Sequence, residues 1–172
     1  MTGTAQPFVF GVVGWKNAGK TTLSTRLITA LTHAGYRVSS IKKTHHAFEV
    51  DGGQTDSARH RASGAQQVAL TAQDRWALMS EVAAPSPMTL EAMLTKLDPA
   101  DFILVEGFKS APIPKIEVRS AISLTKGPPL APNDAHIFAI ARPAEIATDE
   151  PGQFERDDIA GLVAAVRAQA GA

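Results

Sequence analysis

No cysteine occurs in the chain. Disulfide staples, iron–sulfur clusters and thiol catalysis are therefore excluded. Net charge is absent too, because 17 basic residues balance 17 acidic ones. Nothing in that balance calls for nucleic acid or an anionic membrane as the main partner, so any basic site is local. No apolar run approaches the ~20 residues that span a bilayer. The opening residues, Met1 to Pro7, are short and polar and lead straight into an apolar segment, so no signal peptide is expected. These absences predict a soluble, cytoplasmic protein. What remains is ordinary: 172 residues, 44% apolar and 20% charged. That length and composition predict a single domain over 1–172 with a real core.

The order of elements suggests the architecture. Phe8 to Val13 is a run of β-formers suited to a strand buried on both faces. Leu23, Leu27 and Leu31 recur every four residues and predict a helix from about Lys20 to Ala34, stopped by Gly35. Arg37 to Ile41 reads as a strand, followed by a polar loop from Lys42 to Gly53. Asp56 to Ser63 reads as a short helix. Gln67 to Thr71 and Arg75 to Ser80 flank Ala72-Gln73-Asp74 as a hairpin. Thr89 is placed to cap a helix reaching about Leu97. Phe102 to Val105, Lys115 to Arg119 and Ile137 to Ala141 are further strands. The proline-rich stretch from Gly127 to Asp134 is a loop. The spacing of Ile159, Leu162, Val163 and Val166 predicts a closing helix. Strands alternating with helices argue for an α/β fold with a mostly parallel sheet flanked by helices, and with the antiparallel hairpin at one edge.

Gly14-Trp15-Lys16-Asn17-Ala18-Gly19-Lys20-Thr21 matches G-x-x-x-x-G-K-[ST] at every fixed position, between a strand and a helix. In such a P-loop the glycines let backbone N–H groups close around oxyanions, and the helix adds its positive end. Lys20 would reach the outer phosphates. The Thr21 hydroxyl would ligate Mg²⁺, and Thr22 would lie inside the helix near the inner phosphates. Lys16 is either a phosphate contact or a solvated loop lysine. Ligands of parallel sheets sit at the carboxyl ends of the strands, where Glu106 stands. Glu106 is therefore a candidate for the Mg²⁺ environment or for orienting water, against a purely structural strand-end carboxylate. Asp101, five residues earlier, reads as an exposed strand-start residue. Gly107 would allow close approach to a γ-phosphate, and Lys109 would add charge at the same rim.

Lys42-Lys43-Thr44-His45-His46 forms a second concentration of chemistry. Asp51 and Asp56 lie just beyond it. It reads as a segment that meets phosphate or a second anionic substrate through Lys42, Lys43, His45 and His46, as a metal site of the two histidines, or as a solvated basic loop. Adjacent histidines on an extended chain point to opposite faces, which works against shared chelation. Trp15 and Trp76 are read as packing or surface aromatics rather than base-stacking platforms. The guanine-reading Asn-Lys-x-Asp motif does not occur, and base identity does not follow from these residues. No glutamine or arginine finger is evident, so hydrolysis is expected to be slow.

Taken in order, the loop Gly14 to Thr22 with Leu23, Ile41 to His46, Asp56-Ser57, Arg75 to Met79, and Ile103 to Lys109 resemble the MobB family of molybdopterin-guanine dinucleotide biosynthesis. The likeness covers about Phe8 to Ala141. It implies a P-loop NTPase-like fold and a homodimeric protein that binds GTP and Mg²⁺. It further implies an adapter beside the nucleotidyltransferase MobA, in contact with molybdopterin or its guanine dinucleotide, with at most weak GTP hydrolysis. By position, Gly14 to Thr22 would hold the triphosphate, Glu106 would end the Walker-B-like strand, and His45 and His46 match the family's paired histidines. Lys43 departs from a histidine frequent in the family, and Trp15-Lys16-Asn17 departs from its small loop residues. The same loop and basic residues also suit a small-molecule kinase, though no arginine-rich lid is present. A structural dimer partner with a relic nucleotide site is a third reading.

Overall fold

The computed structural model describes residues 6–44, 52, 54–81, 88–146 and 149–172. Along the chain these form β1 (Phe8–Val13), α1 (Lys20–His33), β2 (Val38–Lys42), α2 (Asp56–Ala62), β3 (Gln67–Thr71), β4 (Trp76–Ser80) and α3 (Leu90–Leu94). There follow β5 (Phe102–Glu106), β6 (Lys115–Val118), α4 (Ala121–Leu124), a 3₁₀ turn at Ala131–Asn133, β7 (Ile137–Arg142), β8 (Gln153–Glu155) and α5 (Ile159–Ala170). They divide into two compact units, Met1–Lys43 with Met93–Ala172, and Thr44–Ala92.

In the first unit six strands form one sheet in the order β2-β5-β1-β6-β7-β8, with every neighbouring pair parallel. β5 and β6 are buried along their whole length, as parallel strands covered on both faces must be. Their apolar residues leave water on both sides of the sheet. Phe10, Val12, Phe102, Leu104, Ile116 and Val118 share one core cluster with the helix stripes Leu23, Leu27, Leu31 and Leu162, Val166. The four-residue leucine spacing thus selects the face of α1 that meets the sheet. The last helix begins at Asp158, whose Oδ1 accepts from Gly161 N at 2.8 Å. Asp158→Ala should destabilise the protein by about 0.5–2 kcal/mol, the worth of such a cap, measurable as a shift in urea midpoint with unchanged slope.

In the second unit Thr55 caps α2, its Oγ1 accepting from Ala58 N at 3.3 Å. Arg59 pairs with Asp56 and Arg61 with Glu81. β3 and β4 pair antiparallel with Val68 opposite Met79 and Thr71 opposite Trp76. Val68 is buried on one face, while Leu78 and Trp76 on the other are 50% and 71% exposed, so Trp76 is a surface aromatic.

Several boundaries differ from the sequence reading. The hairpin forms its own two-stranded sheet and does not join an edge of the parallel one, where β2 and β8 are the outer strands. Lys42 ends a strand instead of opening a loop, because the β2–β5 ladder continues to it and Lys43 N still donates to Glu106 O at 2.9 Å. α3 stops at Leu94, although Thr89 Oγ1 does accept from Ala92 N. β6 ends at Val118. α4 and β8 had no counterpart in the sequence reading, since four and three residues are too few to display a period.

Candidate functional site

The carboxyl ends of β1, β5 and β2 lie side by side in the sheet, and each carries part of the candidate site. β1 delivers the loop Gly14–Lys20. Gly14 has φ +147°, and a Cβ there would lie 2.5 Å from Val118 O, so a side chain would strike the end of β6. Gly19 caps α1 at φ +98° and offers no side chain, which leaves the first helical N–H groups turned toward the loop. Asn17 is also left-handed, at φ +65°, and its carbonyl accepts from Ser120 Oγ at 3.1 Å. Ala18 is fully buried and anchors the loop from below. Lys16 and Thr22 are exposed, Thr22 on α1.

Lys20 folds back over the loop. Its Nζ donates to Gly14 O at 3.1 Å and to Trp15 O at 2.8 Å. Burial holds its pKa below the ordinary lysine value; the Glu106 carboxylate works the other way, and the Lys109 and Lys42 ammonium groups push it further down. Among the described residues, Lys20, Lys42, Lys109 and Glu106 therefore share a local field.

Thr21, Glu106 and Lys42 meet on one oxygen. Thr21 Oγ1 donates to Glu106 Oε1 at 2.8 Å. Lys42 Nζ donates to Thr21 Oγ1 at 3.1 Å and lies 3.3 Å from the same Glu106 oxygen. The pairing follows from register, since Lys42 is directly opposite Glu106 in the β2–β5 ladder. Glu106 is nearly buried at 9% exposure. Beyond it the chain turns sharply: Gly107 has φ +102° and Phe108 φ +50°, and Gly107 N donates to Val12 O at 3.2 Å. A Cβ on Gly107 would press on Lys43 at 3.1 Å.

The rim is built by residues distant in sequence. Trp15 Nε1 donates to Pro128 O at 2.8 Å, and its ring covers Gly127 closely enough that no Cβ would fit there. Lys109 Nζ stands 3.7 Å from the centroid of the same ring, and burial lowers its pKa. Trp15 thus ties its own loop to the segments after β5 and β6. Lys43 packs over Phe108 at 4.9 Å. At the helix end of the loop, Arg156 Nη1 lies 3.6 Å from where a Cβ on Gly19 would sit. The sequence reading missed Arg156, which follows a three-residue strand and matches no motif. His45, His46 and Asp51 lie outside the described residues. Asp101 sits at the far end of β5 as a brace, bonded to Arg37 at 2.8 Å; that bond lowers the Asp101 pKa.

Among the described residues no three His, Asp or Glu side chains gather as metal ligands. Mg²⁺ does not need such a cage. It commonly takes one or two protein oxygens and completes an octahedron with phosphates and water, and adjacent ligands on bonds of about 2.0–2.1 Å stand about 2.9 Å apart. The 2.8 Å separation of Thr21 Oγ1 and Glu106 Oε1 fits that requirement.

Residues 9–143 match the family model for MobB, described as molybdopterin guanine dinucleotide synthesis protein B. The chain belongs to the MobB family. Two curated relatives carry the name molybdopterin-guanine dinucleotide biosynthesis adapter protein. The one from Haemophilus influenzae is 40% identical over 77% of this chain and 73% of its own length. The one from Escherichia coli is 35% identical over 94% and 93%. The crystal structure of Bacillus subtilis MobB superposes with a TM-score of 0.72 at 27% identity, covering 94% of this chain and 96% of that one. MobB crystal structures thus share the fold, a P-loop NTPase-like α/β sheet with an added antiparallel hairpin. No helix among the described residues is long and apolar enough to cross a membrane.

Proposed function

We propose that the chain is a GTP-binding adapter that supports guanylation of the molybdenum cofactor. The observation that carries the nucleotide part is the convergence of Lys20, Thr21 and Glu106 on one end of a glycine-shaped loop. In this reading Gly14, Trp15, Lys16, Asn17, Ala18, Gly19 and Lys20 surround the phosphates with Thr22 nearby. Thr21 and Glu106 hold Mg²⁺, and Gly107 lets the chain pass close to the γ-phosphate. The metal would neutralise phosphate charge, while Glu106 orients water for at most slow hydrolysis. Membership of the MobB family, with relatives named as adapters in molybdopterin-guanine dinucleotide biosynthesis, supports the pathway assignment.

The partners follow from the same reading. The basic segment with Lys42, His45 and His46 would meet an anionic second ligand, molybdopterin or its guanine dinucleotide. A MobA-type nucleotidyltransferase in the cytoplasm would receive the assembled pair. Leu78 and Trp76, side by side on the open face of the hairpin, support a homodimer, since exposed apolar surface of this kind marks interaction sites.

Calorimetry with Mg²⁺ tests the nucleotide claim. GTP should bind at least about ten-fold more tightly than ATP, a difference of about 1.4 kcal/mol. Equal affinities would remove guanine from the assignment, and no binding of either would remove the nucleotide.

A further inference from the structure

Thr21 Oγ1 and Glu106 Oε1 already serve a cation. The Lys42 ammonium lies 3.1 Å from the first and 3.3 Å from the second. Those are the two oxygens assigned to Mg²⁺ above. An ammonium within hydrogen-bond reach of both uses the lone pairs a metal would need, and two cations cannot share one carboxylate oxygen at such range without strong repulsion. The placement is built into the sheet, because Lys42 and Glu106 are register partners on adjacent parallel strands. Lys42 is also free to leave. Its side chain is 57% exposed while that of Glu106 is 11% exposed, so the carboxylate is fixed and the lysine can swing into water.

We propose that Lys42 is an internal competitor of the divalent cation, holding the Thr21–Glu106 oxygen pair and yielding it only when triphosphate draws the lysine away. The inference rests on the assignment of Thr21 and Glu106 to the metal. Its consequence is ordered loading. With Lys20 and Lys109 nearby and Glu106 the one carboxylate in contact among the described residues, the site repels a bare divalent ion. Once a triphosphate supplied negative charge, Lys42 would turn to the phosphate oxygens and leave Thr21 Oγ1 and Glu106 Oε1 open to hold the metal. The lysine then reports phosphate occupancy to β2, whose next residues open the basic segment beyond Lys43.

Mn²⁺, an EPR-active stand-in for Mg²⁺, can be titrated without nucleotide into the wild-type chain and into Lys42→Met, Lys42→Arg and Lys42→Met/Thr21→Val. Lys42→Met should bind Mn²⁺ at least about ten-fold more tightly than wild type, because a unit positive charge has left the first contact of the ion. Lys42→Arg should stay near wild type, and Thr21→Val should abolish the gain. Equal affinity in wild type and Lys42→Met overturns the proposal, as does a gain that survives Thr21→Val, which would place the ion elsewhere. The titration contains no nucleotide, so its failure is separate from failure of GTP binding. Conversely, wild type that binds no GTP while Lys42→Met gains Mn²⁺ would sink the nucleotide reading and leave the competition intact.

Discussion

Replacing Lys20 by alanine should weaken GTP binding by on the order of 10²–10³-fold, the cost of deleting one partner of a buried, hydrogen-bonded charge pair. The reason is positional. Lys20 Nζ is held over the loop by Gly14 O and Trp15 O, both neutral acceptors that cannot satisfy a full positive charge. Burial lowers its pKa and two neighbouring ammonium groups add to that, against the pull of Glu106. A triphosphate would relieve the excess charge and raise the Lys20 pKa. The sign follows: affinity is fully present below the pKa of the free protein and declines as pH rises through it. Calorimetry gives the affinity, and tryptophan emission gives an independent reading, since Trp15 lies in the loop whereas Trp76 stands on the hairpin in the other unit. The variant should remain folded, because the two carbonyls it frees can bond to water. A loss smaller than about ten-fold would show that the loop is not where the phosphates bind.

Glu117→Leu should cost about 3–5 kcal/mol of stability, the penalty for breaking a buried ion pair from one side. Glu117 and Arg119 are almost wholly buried, at 1% and 2% exposure. Arg119 Nη2 donates to Glu117 Oε2 at 2.7 Å and to Glu150 Oε1 at 2.9 Å, and Nη1 also reaches Glu150. Burial works against the Arg119 charge, but its hydrogen bonds to Glu150 and Glu117 outweigh it and raise the pKa above the ordinary arginine value. The other face of Glu117 accepts from Leu130 N at 2.8 Å and Ala131 N at 2.9 Å. Loss of this carboxylate leaves the Leu130 and Ala131 amides without their acceptor and leaves the buried Arg119 guanidinium with Glu150 as its remaining carboxylate partner. For a chain of this size the melting temperature should fall by about 6–20 °C. In a double-mutant cycle with Arg119→Met the two changes should couple by about 0.5–3 kcal/mol. Simple additivity would mean that the pair does not act as a unit. The amides Glu117 holds lead to Pro128, the acceptor for Trp15, so the buried pair also steadies the rim of the candidate site.

Much of the fold was legible because its signals are local. The leucine stripe of α1 and the continuous apolar run of β5 each announce their own burial, and both are buried as read. The misreadings fell where pairing, not periodicity, decides. Lys42 looked like the start of a loop, and only the ladder with β5 draws it into a strand. β8 consists of three residues that exist as a strand because β7 offers an open edge. The hairpin strands lie within a residue of the bounds their pattern predicts, yet they pair in a sheet of their own, since nothing in an alternating pattern names its neighbour.

The candidate site divides along the same line. Eight consecutive residues, Gly14 to Thr21, are sufficient to specify the glycine-shaped loop of the candidate site, because positive-φ glycines and a helix start are properties of a short segment. The chain alone therefore determined that loop and, through longer resemblance, the family. Tertiary structure decided the rest. Strand register brings the Lys42 ammonium onto the Thr21–Glu106 oxygens, and the folds after β5, β6 and β8 carry Lys109, Pro128 and Arg156 to the loop. Those contacts join residues far apart in sequence, and their geometry exists only when the parallel sheet sets its strand ends side by side.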